Sequence, residues 1–231
     1  MPFSAGRLTV PAWPTALIPG LRLIWTRTLF PGDAEFDGRL RLRSLALVII
    51  LPAVLLYPCL NFRLLEPDEG RYAEIAREML VRGEWIVPHL QGEPYLDKPP
   101  LLYWLVVLSY KVFGVHDWAA RLVPALAVHG TILLTYLFGR RLLGERAAVR
   151  GAVLLALAPG LAGMARLLVL DGLLTLWVTL GLFAGKRGWL AVCAAACGLG
   201  VLTKGPVAVV LVVAPLLFHH WLTTGRIEMR W

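Results

Sequence analysis

The sequence predicts an all-α fold: a polytopic transmembrane helical bundle with an external loop of interfacial helices. Three observations carry that prediction. The chain has 231 residues, of which 58% are hydrophobic and only 16% charged, and its mean hydropathy is +0.68. That composition suits a chain dissolved in lipid better than a water-soluble domain. Six apolar segments follow one another, at about Leu42–Leu60, Leu122–Phe138, Val149–Leu161, Gly172–Ala184, Trp189–Leu202 and Val207–Leu222. Between the first two lies a long polar stretch, residues 61–121, with seven basic and nine acidic residues.

A helix needs roughly 20 residues to cross the hydrocarbon core. The third, fourth and fifth segments therefore draw on flanking residues to span. The run Leu101–Phe113 is as short as the third and fourth, follows Pro99-Pro100 and is interrupted by Ser109, Tyr110 and Lys111. It reads as a helix lying in the interface. The alternative, a tilted true span, would reverse every later orientation.

Before the first span, residues 1–41 read as a cytoplasmic tail. They hold Pro11, Pro14, Pro19 and Pro31 and no continuous apolar run of the kind a signal peptide needs. Residues 42–222 form the transmembrane module, and 223–231 its cytoplasmic end. Basic residues fix the orientation. Arg39, Arg41 and Arg43 precede the first span, Arg140, Arg141, Arg146 and Arg150 cluster in one link, and Lys186 and Arg187 in another. These three share one side, which the excess of Lys and Arg marks as cytoplasmic. The loop 61–121 is then external: periplasmic if this is a bacterial inner-membrane protein.

Within that loop, Tyr72, Ile75/Ala76 and Met79/Leu80 recur at helical spacing with Arg71, Glu74, Arg77 and Glu78 between them. This is an amphipathic helix of about three turns that ends before Gly83. Trp85, Tyr95, Trp104 and Trp118 suit anchoring at the headgroup level. The net charge of +8 bears on orientation rather than on nucleic acid, since no basic run is interleaved with aromatics. Cys59, Cys193 and Cys197 all fall in apolar segments and imply neither a disulfide framework nor a zinc site. His89, His116 and His129 lack metal-ligand spacing.

Charge beside lipid is costly and needs a partner or a task. Asp68 and Glu69 follow Pro67 at the start of the amphipathic helix, where acids routinely cap a helix or answer its dipole. Beside a membrane face, a carboxylate there can also take a proton from an acceptor hydroxyl. Lys98, in Asp97-Lys98-Pro99-Pro100, has two readings as well. It is a lysine snorkelling at the interface, or a cation that neutralises a lipid-linked phosphate. Asp171, at the mouth of a span, calls for a partner, and Arg166 and Lys204 lie at the same face. Gly181-x-x-x-Gly185 and the glycines near 198–205 allow close helix packing.

Several of these segments together resemble a known family. They are Glu66-Pro67-Asp68-Glu69-Gly70-Arg71-Tyr72-Ala73-Glu74-Ile75, Trp85-Ile86-Val87-Pro88-His89-Leu90 and Tyr95-Leu96-Asp97-Lys98-Pro99-Pro100-Leu101-Leu102-Tyr103-Trp104. Ala119-Ala120-Arg121-Leu122, Ala165-Arg166-Leu167-Leu168-Val169-Leu170-Asp171 and Leu202-Thr203-Lys204-Gly205-Pro206 follow in order. They look like the membrane glycosyltransferases of GT-C architecture that include the aminoarabinose transferases acting on lipid A and the protein O-mannosyltransferases. The resemblance covers about residues 42–225.

It implies a polyprenyl-phosphate-linked sugar as donor, transfer outside the cytoplasm with inversion, and a lipid, glycan or protein as acceptor. It makes Asp68 the catalytic or acceptor-orienting carboxylate with Glu69 beside it, and Lys98 with Arg71 the residues that hold the donor phosphate. Asp97, Asp171 and Lys204 then shape the site. No cofactor is specified. A divalent metal stays open, although Asp97 stands where aminoarabinose transferases tend to have a glutamate. Family members are typically much longer, so the alternative is a non-catalytic membrane subunit or a binding protein for polyprenyl-phosphate lipids.

Overall fold

The computed structural model describes residues 41–65 and 67–224. The expectations for the tail before residue 41 and for most of the end 223–231 lie outside the described residues. Helices dominate. Helix α1 (Leu42–Leu56) runs into a 3₁₀ turn (Tyr57–Cys59), and α2 (Asp68–Arg82) leads to a small hairpin of β1 (His89–Leu90) and β2 (Glu93–Pro94). Then come α3 (Leu101–Phe113), α4 (Asp117–Leu143), α5 (Glu145–Leu157), α6 (Pro159–Arg166), α7 (Leu170–Lys186), α8 (Leu190–Lys204) and α9 (Val207–Thr224).

These form two layers. In the bundle, α4 packs on α5, α6 and α7, while α8 and α9 close on α7 and α1 packs on α4 and α5. The cluster Val48, Leu56, Val128, Ile132, Tyr136, Ala148, Ala152 and Ala165 fills the α1–α4–α5–α6 side. The second layer is α2 with α3, laid across the first turns of α4. Its core joins Tyr72, Ile75, Ala76, Met79, Leu102, Tyr103, Val106, Ala119, Ala120, Leu168 and Leu173. Small residues let helices approach closely. A methyl group added at Gly200 would sit 2.5 Å from the Ala208 side chain, and one at Gly181 2.9 Å from Val212.

Polar pairs mark the two ends of the bundle. At one end Glu145 accepts from the Tyr136 hydroxyl (2.7 Å) and Arg140 (3.1 Å), and Lys186 meets His219. At the other end stand the start of α2, the start of α4, the α6–α7 link and the junction of α7 with α8. The predicted basic links therefore share one end, and Asp68, Lys98, Asp171 and Lys204 belong to the other.

Among the described residues only α4 is by itself long and apolar enough to cross a membrane. The predicted third segment, read as one run at Val149–Leu161, is broken. Proline has no N–H to donate and its ring crowds the preceding turn. Ala158, just before Pro159, is accordingly extended (ψ 119°), and α5 and α6 meet at a 60° bend. By contrast, α3 covers the same Leu101–Phe113 run that the sequence isolates, and α2 stops at Gly83, whose φ of 71° suits a residue without Cβ.

Candidate functional site

Asp68 opens α2. Its side chain is not the N-cap: Pro67 holds that position and no side-chain cap bond forms. The carboxylate is exposed and lies 3.8 Å from the Arg71 guanidinium, one turn on. Arg71 also stands beside Tyr95, whose side chain is the largest influence raising the guanidinium above its ordinary value. The Tyr95 hydroxyl donates to Asp97 (3.1 Å), and Asp97 receives Lys98 at 3.1 Å. A continuous line of polar groups thus runs from Asp68 through Arg71, Tyr95 and Asp97 to Lys98. Lys98 and Tyr95 hold the Asp97 carboxyl below the usual carboxylate range, and Asp97 in turn raises the Lys98 ammonium above its ordinary value.

Local folding explains how Lys98 comes near the start of α2. The carboxylate of Glu78, on the third turn of α2, is buried and accepts the backbone N–H groups of Gln91 (2.5 Å) and Gly92 (3.2 Å). Those two residues form the hairpin turn, both with positive φ (54° and 89°). Such turns match the twist of a hairpin. The hairpin pairs His89 with Pro94 and Leu90 with Glu93, and the Tyr95 N–H bonds the Pro88 carbonyl at 2.7 Å. Pro99 and Pro100 then stiffen the entry to α3, whose Trp104 donates to the Trp85 carbonyl at 2.7 Å. Lys111 sits 4.5 Å above the Trp85 ring.

Glu69 differs from its neighbour Asp68. It is buried, 3% exposed, and both oxygens are taken. Arg121 donates from Nε (2.9 Å) and Nη2 (2.8 Å), the Leu65 N–H reaches one oxygen at 2.8 Å and the Leu168 N–H the other at 2.6 Å. Burial alone would raise this carboxyl, yet Arg121 and the two backbone donors outweigh it and hold the group ionised below its ordinary range. Arg121 spends its remaining donors on the carbonyls of Leu60 (3.1 Å), Phe62 and Arg63 (2.9 Å) and stacks on the Phe62 ring at 3.7 Å. One buried ion pair thereby joins the exit from α1, the start of α2, α4 and the α6–α7 link. A carboxylate so fully bonded has no lone pair ready for substrate, and its bonds tie down the start of α2 beside Asp68.

Asp171, in the first turn of α7, pairs with Lys204, in the last turn of α8, at 2.5 Å. Of the two partners offered by the sequence, Lys204 takes it. Arg166 instead donates to the Leu55 carbonyl at 2.8 Å. Sequence reasoning missed the role of Arg121. A single arginine entering an apolar run was its only local signal, and the groups it binds lie 52 to 61 residues away. Among the described residues no three of His, Cys, Asp and Glu gather as a metal would require. A hollow of about 330 Å³ between α2 and the hairpin, lined by Arg77, Glu78, Arg82 and Gln91, contains none of the predicted site residues.

The chain matches the model of the dolichyl-phosphate-mannose-protein mannosyltransferase family over residues 97–230, more than half its length. It belongs to that family. The undecaprenyl phosphate-alpha-4-amino-4-deoxy-L-arabinose arabinosyl transferase of Edwardsiella ictaluri is 40% identical over 179 residues, which are 72% of this chain and 31% of that protein. Transferase 1 of the same name from Pseudomonas fluorescens is 36% identical over 188 residues, 75% and 33% of the two lengths. ArnT from Cupriavidus metallidurans, solved bound to undecaprenyl phosphate, aligns with a TM-score of 0.69 at 34% identity over 79% of this chain and 37% of that one. The chain spans about a third of the length of the curated relatives it matches. This family member is an integral membrane protein with the polytopic helical fold predicted, and its relatives are glycosyltransferases.

Proposed function

We propose that this chain contributes the donor-binding and catalytic end of a glycosyltransferase, which moves a sugar from a polyprenyl phosphate to an acceptor at the outer face of the membrane. The observation that carries this reading is the line from Asp68 to Lys98. An exposed carboxylate and a stiffly presented cation stand on one surface, joined by Arg71, Tyr95 and Asp97. A relative of the same fold holds undecaprenyl phosphate.

Lys98, with Arg71 behind it, takes the donor phosphate. The acceptor oxygen forms a bond to the anomeric carbon from the opposite face while the bond from that carbon to the phosphate oxygen breaks. The electron pair leaves with the polyprenyl phosphate, and Lys98 answers the growing negative charge. Where the acceptor is a hydroxyl, its proton passes to Asp68. A phosphate acceptor is already ionised and asks for no base from Asp68. Asp171 and Lys204 close the far side of the site as a fixed pair. The predicted orientation, with residues 61–121 external and the Arg140–Arg150 end cytoplasmic, is part of this proposal, as is an inner-membrane location in a bacterium.

The test is transfer of radiolabelled sugar from a panel of undecaprenyl-phosphate donors, in membranes carrying the protein and its Asp68→Asn and Lys98→Ala variants. Asp68→Asn is expected to lower kcat at least 100-fold with a hydroxyl acceptor. Lys98→Ala is expected to raise the donor KM as well, because its charge meets the phosphate before reaction. Near-normal turnover by both variants would remove these residues from the mechanism.

A further inference from the structure

Most cations at the site end have a counter-charge. Arg71 faces Asp68, Arg77 faces Glu74, Arg82 faces Glu78, Lys98 faces Asp97, Arg121 faces Glu69 and Lys204 faces Asp171. Lys111 rests on the Trp85 ring. Arg166 departs from this pattern. It lies at the last turn of α6, half-buried, with one bond to the Leu55 carbonyl. Its Nε is shut off from solvent and has no hydrogen-bond partner. No carboxylate among the described residues lies within ion-pair distance of it.

The acids that chain position offers to Arg166 are both committed elsewhere. Asp171, five residues on, is held by Lys204, and Glu69, which binds the N–H of Leu168, is held by Arg121. A half-buried guanidinium without a counter-ion at a membrane face is costly. Its one carbonyl bond, at the negative end of α1, offsets part of the charge but uses one of five donors. The position also bears on substrate. Arg166 sits two residues before the Leu168 N–H that anchors Glu69, the neighbour of Asp68, and it closes the short helix that follows the 60° bend. The outer side of α6 is open, with nothing within 4 Å of a side chain added at Gly160 or Gly163.

We propose that Arg166 binds the phosphate of a lipid substrate on the α1–α6 side of the site, separately from Lys98 on the α3 side. A planar guanidinium grips a phosphate through paired donors, and here the anion would meet the outer Nη donors, which the Leu55 carbonyl uses only in part and which, unlike Nε, are not shut in. This inference rests on the proposed transferase activity for its substrates. Because Lys98 already takes the donor phosphate, the phosphate at Arg166 is assigned to the acceptor lipid.

The experiment separates that role from a purely structural one. Arg166→Gln keeps a donor for the Leu55 carbonyl but removes the charge and the fork, and Arg166→Lys keeps the charge and loses the fork. Binding of lipid A labelled with ¹⁴C in its acyl chains, and of its fully dephosphorylated form carrying the same label, is measured on the protein in nanodiscs of phosphatidylcholine, beside steady-state transfer. For Arg166→Gln, affinity for phosphorylated lipid A should fall about 10-fold or more, with Arg166→Lys between it and the parent, while the dephosphorylated lipid binds each variant alike. The acceptor KM should rise by a similar factor and the donor KM should hold. Equal loss for both lipids would make Arg166 a structural cap of α1 and overturn the proposal, as would unchanged affinity. A rise confined to the donor KM would overturn the assignment to the acceptor. Binding needs no turnover, so a protein that transfers nothing would count against the proposed activity and leave this result to be judged alone.

Discussion

At the scale of single residues, the adjacent acids Asp68 and Glu69 have opposite fates because of burial and partners. Asp68 keeps its oxygens toward solvent, whereas Glu69 is saturated by Arg121 and two backbone N–H groups. Removing one partner of such a pair strands the other charge, at a cost of about 3–5 kcal/mol. Arg121→Ala is therefore expected to lower the unfolding temperature of the purified protein by many degrees, and Arg121→Lys to recover little, since one ammonium cannot replace a fork that reaches five acceptors. The linkage with pH has a definite sign. The Glu69 carboxyl titrates lower in the folded protein than in the unfolded chain, so its contribution is complete above the ordinary carboxylate pKa and disappears as pH falls through the depressed folded value. The stability gap between the parent and Glu69→Gln should close on acidification over that interval. Thermal unfolding of both at a series of pH values checks this, and a gap that widens in acid would contradict it. That the acids at 68 and 69 need a partner or a task was legible in the sequence. Which acid stays open to solvent and which is buried in bonds was not, because the distinction depends on an arginine 52 residues away.

At the scale of elements, periodicity and punctuation disclosed most of the helices. The 3–4 spacing of Tyr72, Ile75 and Met79 defined α2, Gly83 its end, and Pro99-Pro100 the start of α3. The break at Pro159 was visible as a proline, but the 60° bend depends on how α5 and α6 pack around α4. The hairpin between α2 and α3 carried little signal, since its strands are two residues long and a buried carboxylate holds its turn. Glu78→Ala should free the turn and loosen the presentation of Lys98. The expected result is a raised donor KM with the helical circular dichroism retained; an unchanged donor KM would show that the hairpin positions nothing. Helix contact makes a separate prediction. A larger residue at Gly200 would be driven into Ala208, so Gly200→Val should cost about 1–3 kcal/mol through overpacking, read as a lower unfolding temperature. The sequence marked such glycines as packing positions without naming the helices they meet.

At the scale of the whole molecule, charge asymmetry and fold point the same way. The links holding Arg140–Arg150 and Lys186–Arg187 gather at one end, while the line from Asp68 to Lys98 lies at the other. A cysteine replacing Gly92, in a background without other cysteines, should react with an impermeant maleimide added outside intact cells. Reaction only after the inner face is opened would reverse the orientation. Reporter fusions after residues 100 and 118 should likewise report the same side, because 13 residues of α3 rise about 20 Å, short of a hydrocarbon core.

Helix α4 has a further consequence. Its 27 residues rise about 40 Å, more than the hydrocarbon core is thick. Helix α7 comes against it at Gly172, beside Pro124 and Val128, so the two turns before Pro124 stand proud of that contact and hold Arg121. The layer containing Asp68 and Lys98 is thus mounted on the head of a post whose shaft is set in lipid. A post longer than its membrane adjusts by leaning, and whatever it carries leans with it. Acyl-chain length is then expected to set the tilt of the layer that holds Asp68 and Lys98, more in a thinner bilayer and less in a thicker one, with no ligand bound and no residue changed.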